Sequence, residues 1–183
     1  MKPVILIPTY NERETIGILL DKLSTIQSRW NFSVLVIDDG SPDGTVDIVR
    51  SKSLPWVDVL QRREKGGLGP AYRAGFKEIL THHPEVTHIV TMDADGSHRV
   101  EDLPAMLSAI KPGRSITLGT RWMKGGSVVN WPLKRQILSR AGTTYARLAL
   151  RMNLRDLTGG YRIYSRELLE SLNLDQMKAS GYC

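Results

Sequence analysis

Val34-Leu35-Val36-Ile37-Asp38-Asp39-Gly40-Ser41 and Ile89-Val90-Thr91-Met92-Asp93-Ala94-Asp95-Gly96-Ser97 decide how this chain folds. Each begins with an apolar, β-branched run that reads as a buried strand, since a strand covered on both faces shows no polar alternation. Each then breaks into carboxylates and a glycine. Paired acids are thus expected at the carboxyl ends of two strands, and in open α/β sheets the ligand crevice lies outside those ends. Three or more carboxylates converging there repel one another unless a divalent cation or a hydrogen-bond donor stands between them. Oxygen ligands suit Mg²⁺ or Mn²⁺, which in turn suit a diphosphate. The pattern points to metal-assisted chemistry on a nucleotide diphosphate.

Outward from these two stretches, strand and helix patterns alternate, as in a largely parallel sheet. Strands are expected at 4–7, 33–37, 57–61, 88–92 and 115–119. A helix over about 13–27 carries Ile16, Leu19, Leu20 and Leu23 at helical spacing, with Thr9 or Asn11 as its cap. Further helices are expected near 46–51, 71–82, 103–110 (Pro104 in its first turn) and, after a Gly-rich loop at 124–130, over 133–151. No repeat, linker or low-complexity segment interrupts them, so residues 1–183 read as one α/β domain with a mostly parallel central sheet flanked by helices.

The chain has 183 residues, enough to bury a real core, with 41% hydrophobic and 24% charged residues, ordinary for a globular protein. Its single cysteine, Cys183, excludes an intramolecular disulfide or a cysteine-rich metal site and fits a reducing compartment. No apolar run approaches the roughly 20 residues of a membrane span. The start, Met1-Lys2-Pro3-Val4-Ile5-Leu6-Ile7-Pro8, is too short an apolar stretch for a signal peptide. The net charge of +6 favours anionic partners.

In order along the chain stand Pro8-Thr9-Tyr10-Asn11-Glu12, Asp38-Asp39-Gly40-Ser41-Pro42-Asp43-Gly44-Thr45, Gly67-Leu68-Gly69 with Ala71-Tyr72, and Asp93-Ala94-Asp95 with Ser97-His98. Gly119-Thr120-Arg121 and Asp156 with Thr158-Gly159-Gly160-Tyr161-Arg162 follow. This set closely resembles the polyprenyl-phosphate (dolichyl-phosphate) mannose synthases, family-two inverting glycosyltransferases of the GT-A fold. The Asp-Gly-Ser-Pro-Asp-Gly-Thr run and the block from Leu133-Lys134-Arg135 to Ser139-Arg140 are its most specific parts.

The resemblance implies transfer of mannose from GDP-mannose to a polyprenyl monophosphate, on the cytoplasmic side of a membrane, by a peripheral enzyme. It also implies a divalent cation (Mg²⁺ or Mn²⁺), contact with the membrane surface and a membrane-anchoring partner subunit. Pro8, Tyr10, Glu12, Ile37 and Asp39 are implied to line the nucleoside pocket, where Tyr10 can stack on or edge a base and Glu12 can accept from a guanine or ribose donor. Asp95 is the implied metal ligand, with Ser97 a second one directly or through water. Asp93 is implied to contact ribose or sugar, with Ala94 beside it. Arg121 can bind diphosphate oxygens and carry charge on the leaving group; catalysis is assigned to Asp93, Asp95 and Arg121. Family members continue beyond the Ser180-Gly181-Tyr182-Cys183 segment into a further strand or helix and a basic loop that helps to hold the donor phosphates. The resemblance thus implies that the C-terminal part of the family domain is missing here and that full activity depends on it.

Plainer readings stand beside these. Either acidic cluster alone can be a turn with capping carboxylates, and Tyr10 alone can be a half-buried packing residue. Gly66-Gly67-Leu68-Gly69 lacks the spacing of a dinucleotide fingerprint and reads as a hinge or close-approach loop. His82, His83 and His88 do not have the pattern of a metal site, and His98 is a candidate for supporting the acidic motif from behind. Lys134, Arg135, Arg140, Arg147 and Arg151 can be a solvated helix face. They can equally lie on an anionic membrane surface with Trp131-Pro132 at the interface, which makes Lys134, Arg135, Ser139 and Arg140 candidates for the acceptor side. Two other functions fit less well. A basic nucleic-acid-binding module would need aromatics interleaved with the basic run, and only Tyr145 is there, so no nucleic-acid partner is expected. A related transferase using another donor, such as UDP-glucose, would share most of these motifs.

Overall fold

The computed structural model describes residues 1–63, 65–113, 115–120, 141–145 and 159–176. In chain order it has β1 (Pro3–Thr9), α1 (Arg13–Trp30), β2 (Ser33–Asp38), α2 (Thr45–Ser51), β3 (Val57–Gln61), α3 (Leu68–His82), β4 (His88–Thr91), α4 (Leu103–Ser108), β5 (Ile116–Leu118), β6 (Arg162–Ser165) and α5 (Arg166–Ser171). Residues 141–145, inside the expected basic helix, are helical. Among the described residues the sheet runs β3-β2-β1-β4-β6-β5. The first four strands are parallel, in register through pairs such as Leu6 with Leu35 and Leu6 with Thr91. β6 runs antiparallel between β4 and β5.

Strand side chains alternate between two layers, as the pleat requires. Ile5, Ile7, Val34, Val36 and Val90 pack under α1, α2 and α4, against Ile16, Leu20, Leu23, Val49 and Leu103. Val4, Leu6, Leu35, Ile37 and Ile89 face the other way, against Phe76 and Ile79 of α3 and Leu169 of α5. Ile5, Leu6 and Ile7 are fully buried, each contributing about 1.5–3 kcal/mol of transfer free energy. Gly75 lets α3 come down on the sheet: a Cβ there would stand 2.4 Å from Ile37 Cδ1 and 3.0 Å from Leu6 Cδ1.

Several expectations change. Neither Thr9 nor Asn11 caps α1. Its first N–H groups are taken instead from the next loop, with Glu12 N donating to Thr45 Oγ1 and Arg13 N to Asp43 Oδ2. A long-range cap satisfies the same orphan donors as a local one. α3 starts at Leu68, because Pro70 in a first turn costs no helical hydrogen bond. α4 ends at Ser108 rather than at 110. β6 was not expected, since Arg162-Ile163-Tyr164-Ser165 is too short and too polar to show a strand period. Arg166, directly after it, donates from Nη2 to Leu80 O (2.8 Å) and from Nη1 to His83 O (2.8 Å) and Val86 O (3.3 Å), tying the end of α3 to the late strand.

Candidate active site

Strand order reverses direction at β1, with β2 and β3 on one side and β4 on the other. That makes the space above the carboxyl ends of β1 and β4 the switch-point crevice of the sheet. Both acidic clusters open at this end, but they are built differently.

Asp38 is fully buried, and both its oxygens are consumed. Oδ2 accepts from Thr9 Oγ1 (3.0 Å) and Ser41 Oγ (2.6 Å), and Oδ1 accepts from the N–H groups of Gly40 (3.1 Å) and Ser41 (2.9 Å). The turn needs Gly40 at φ +74°, the left-handed region that glycine enters freely. Asp39 is equally committed. Its Oδ1 takes Arg62 Nη1 at 2.5 Å, and its Oδ2 accepts the N–H groups of Gly66 (2.9 Å) and Gly67 (3.2 Å). Next along, desolvation opposes the charge of Asp43. Hydrogen bonds from Thr45 and the backbone N–H groups of Arg13 and Thr45 outweigh it, holding the carboxyl below the usual range.

The second cluster is more open. Asp93 sits at the buried edge of the crevice, where Oδ1 accepts from Tyr72 OH at 3.3 Å. Its own N–H donates to His98 Nδ1 (2.9 Å), which puts the ring proton on Nε2, 3.6 Å from Asp93 Oδ2. The imidazole stacks on Tyr161 at 4.9 Å between centroids. Burial, with Asp102 and Glu101 nearby, pushes the Tyr161 hydroxyl well above its ordinary pKa, so the ring stays neutral. Asp95 is exposed, with Oδ1 accepting the Ser97 N–H at 2.9 Å. Gly119 N donates to Tyr161 O (2.9 Å) and Thr91 Oγ1 to Gly160 O (2.6 Å), which brings the ends of β5 and β6 beside this loop.

Between the two clusters lies a cavity of about 250 Å³. Of the residues singled out in the sequence, Pro8, Tyr10, Glu12, Asp39, Asp93, Ala94 and Asp95 line it. Ile37 and Ser97 do not line it: Ile37 is fully buried with its side chain against Gly75, and Ser97 stands on the exposed turn next to Asp95. Arg121, Lys134, Arg135, Ser139 and Arg140 lie outside the described residues. Asp39 of the first cluster thus meets Asp93 and Asp95 of the second at one cavity. Among the described residues no three His, Cys, Asp or Glu side chains are placed to share an ion. Hydroxyl and backbone N–H groups satisfy Asp38, and the Arg62 guanidinium with two backbone N–H groups satisfies Asp39. Sequence reasoning missed Arg62 and Lys65, the latter a cavity residue whose ammonium stands 3.9 Å from the centroid of the Tyr10 ring. Their only signal was basic character just before the glycine loop.

The glycosyl transferase family 2 model matches residues 4–172, nearly the whole chain. The chain belongs to glycosyltransferase family 2. This glycosyltransferase is 40% identical over its whole length to the polyprenol monophosphomannose synthase of Mycolicibacterium smegmatis, of which it covers 68%. It is 42% identical, again over its whole length, to the undecaprenyl-phosphate mannosyltransferase of Micrococcus luteus, of which it covers 74%. The dolichol-phosphate mannosyltransferase of Pyrococcus furiosus is 35% identical over 96% of the chain, which spans about half (49%) of that protein. Among solved structures, glucosyl-3-phosphoglycerate synthase of Mycobacterium tuberculosis, in complex with Mn²⁺, uridine diphosphate and phosphoglyceric acid, superposes with a TM-score of 0.69 at 20% identity. The match covers 93% of this chain and 58% of that one. The family-2 fold here is accordingly GT-A.

Proposed function

We propose that this glycosyltransferase moves mannose from GDP-mannose to a polyprenyl (dolichyl) monophosphate. The reading is carried by its 40–42% identity, end to end, with enzymes named for polyprenol and undecaprenyl-phosphate mannosyl transfer. The switch-point cavity supplies the seat. Tyr10 and Glu12 offer a stacking face and an acceptor to the nucleoside, and the Asp93–Asp95 loop takes the diphosphate and sugar.

The donor atoms fit a divalent cation. Asp95 is exposed and shares one turn with Ser97, so a carboxylate and a hydroxyl, both hard oxygen donors, stand together. Mg²⁺ and Mn²⁺ sites of this kind take one or two carboxylates and leave the remaining positions to substrate phosphates and water. Asp95, with Ser97 directly or through water, would hold the ion, which when bound supplies charge neutralisation to the departing diphosphate.

The chain's own residues do the positioning. Tyr72 and His98 hold Asp93 from two sides, which fixes the loop facing the sugar. The acceptor is a phosphate monoester, already anionic near neutral pH with a second pKa of about 6, so no side chain has to extract a proton from it. One in-line displacement then inverts the anomeric centre, with Arg121 assigned to the leaving diphosphate and Lys134, Arg135, Ser139 and Arg140 to the acceptor phosphate. No helix among the described residues is long and apolar enough to cross a membrane. We assign approach to the lipid, on the family resemblance, to a peripheral contact on the cytoplasmic face or to an anchoring subunit.

The test is transfer by the full-length protein from radiolabelled GDP-mannose into a lipid extract containing polyprenyl phosphate, with and without Mg²⁺ or Mn²⁺. Metal-dependent formation of a β-linked lipid phosphate is expected. Preference for UDP-glucose, an α-linked product or a trapped mannosyl-enzyme would overturn the proposal.

A further inference from the structure

We infer that Lys65 reads the nucleobase of the donor and selects guanine. The inference rests on the proposed nucleotide-sugar reading of the cavity and adds a residue to it.

Among the described residues lining the cavity, Lys65 is the one cation. Its ammonium stands over the Tyr10 ring, 3.9 Å from the centroid, the distance at which a stacked base would lie. The position is imposed by the chain on either side. Arg62 is tied to Asp39 Oδ1, and the N–H groups of Gly66 and Gly67 to Asp39 Oδ2, so one carboxylate anchors the loop both before and after Lys65. Because Asp39 is committed to those partners, the ammonium is left over the aromatic face instead of being drawn into an ion pair with it.

A base that stacks on Tyr10 has to displace the ammonium from the face, and the four-carbon stem lets it move to the edge of the incoming ring. The same cavity is lined by two opposite chemistries: the Glu12 carboxylate, an acceptor, and the Lys65 ammonium, a donor. Guanine matches that pair. Its N1–H and exocyclic N2–H₂ are donors on one edge, and O6 and N7 are acceptors on another, the pair lysine commonly contacts. Uracil, with a single N–H between two carbonyls, leaves the carboxylate with one partner and gives the ammonium no N7.

Calorimetric titration of the full-length protein and of Lys65→Met with GDP, 7-deaza-GDP and UDP tests this. The wild type is expected to prefer GDP over both. Lys65→Met should lose about tenfold or more in GDP affinity, the scale of one hydrogen bond to a charged group. It should bind UDP about as the wild type does and lose less affinity for 7-deaza-GDP, which keeps O6 but lacks N7, than for GDP, so the discrimination ratio collapses. Lys65→Arg should restore part of it. An equal loss for all three nucleotides would overturn the inference and assign Lys65 to the diphosphate. A gain for all three would also overturn it, leaving Lys65 as a placeholder on Tyr10. A wild type that prefers UDP to GDP would instead break the proposed donor itself, whatever Lys65 does.

Discussion

The loops after β2 and β4 begin alike, an apolar strand running into acids and a glycine, yet they are built to opposite ends. Asp38 is buried under four hydrogen bonds and Asp39 under three, so their charge is spent on shaping the chain. Asp95 accepts a hydrogen bond from Ser97 N–H and faces solvent. A carboxylate saturated by its own loop has little left to offer a ligand, whereas one held at a single oxygen keeps lone pairs for it. The first loop is a latch and the second a hand.

If that contrast is right, Asp38→Ala gives the largest effect, and on stability. Removing it strands the Thr9 hydroxyl, the Ser41 hydroxyl and two N–H groups, so urea denaturation should show a loss of about 3–5 kcal/mol. A loss under about 1 kcal/mol would dissolve the latch. Asp95→Ala should do the reverse. Turnover should fall by at least about 10²-fold, or roughly 2.7 kcal/mol, and metal-dependent GDP binding should weaken, while the melting temperature stays near that of the parent. Unchanged binding and turnover would remove Asp95 from the chemistry.

Between these extremes lies His98, which supports the open loop without offering it an acid. His98→Ala is expected to lower turnover about tenfold, the scale seen when a group that orients ligands is lost. Stability should change less than in Asp38→Ala, which a paired assay and melt would show. The smallest effect belongs to Asp43→Asn and carries a pH signature. Because its carboxyl is held below the ordinary value, the stabilisation is complete above the unfolded value near 4 and is lost as pH falls through the lower folded value. The gap in melting temperature between wild type and Asp43→Asn should be present at pH 7 and close in acid; a gap that widened on acidification would reverse the assignment.

The parallel half of this molecule was legible from its residues. Val34–Ile37 and Ile89–Thr91 are apolar and β-branched throughout, and α1 repeats Ile16, Leu19, Leu20 and Leu23 at one face, so period and composition agree. The antiparallel half was legible only in part: the strand expected at 115–119 is β5, whereas β6 has four residues, too few to establish a period, and carries Arg162 and Tyr164. In the site, residues next to a strand end were found because the backbone fixes where they stand. The difference between the Asp38–Asp39 pair and Asp95 was invisible, since it depends on hydrogen bonds from Thr9 to Asp38 and from Arg62, Gly66 and Gly67 to Asp39, all distant in sequence. Lys65 was missed because neighbouring residues do not reveal that its stem crosses to Tyr10.

The insertion of β6 between β4 and β5 also sets an order of assembly. β5 emerges from the ribosome well before β6, but its ladder partner is β6, so it must wait for residues 162–165 before it can join the sheet. Until then β4 presents an unpaired edge, a template for other chains. The step that closes it gathers Arg166 onto the carbonyls of Leu80, His83 and Val86, contacts more than 80 residues apart or nearly so. Such non-local closure is slow relative to the neighbouring strand–helix units. The acidic loop after β4 therefore acquires its second wall, Tyr161 against His98, only when the last strand arrives.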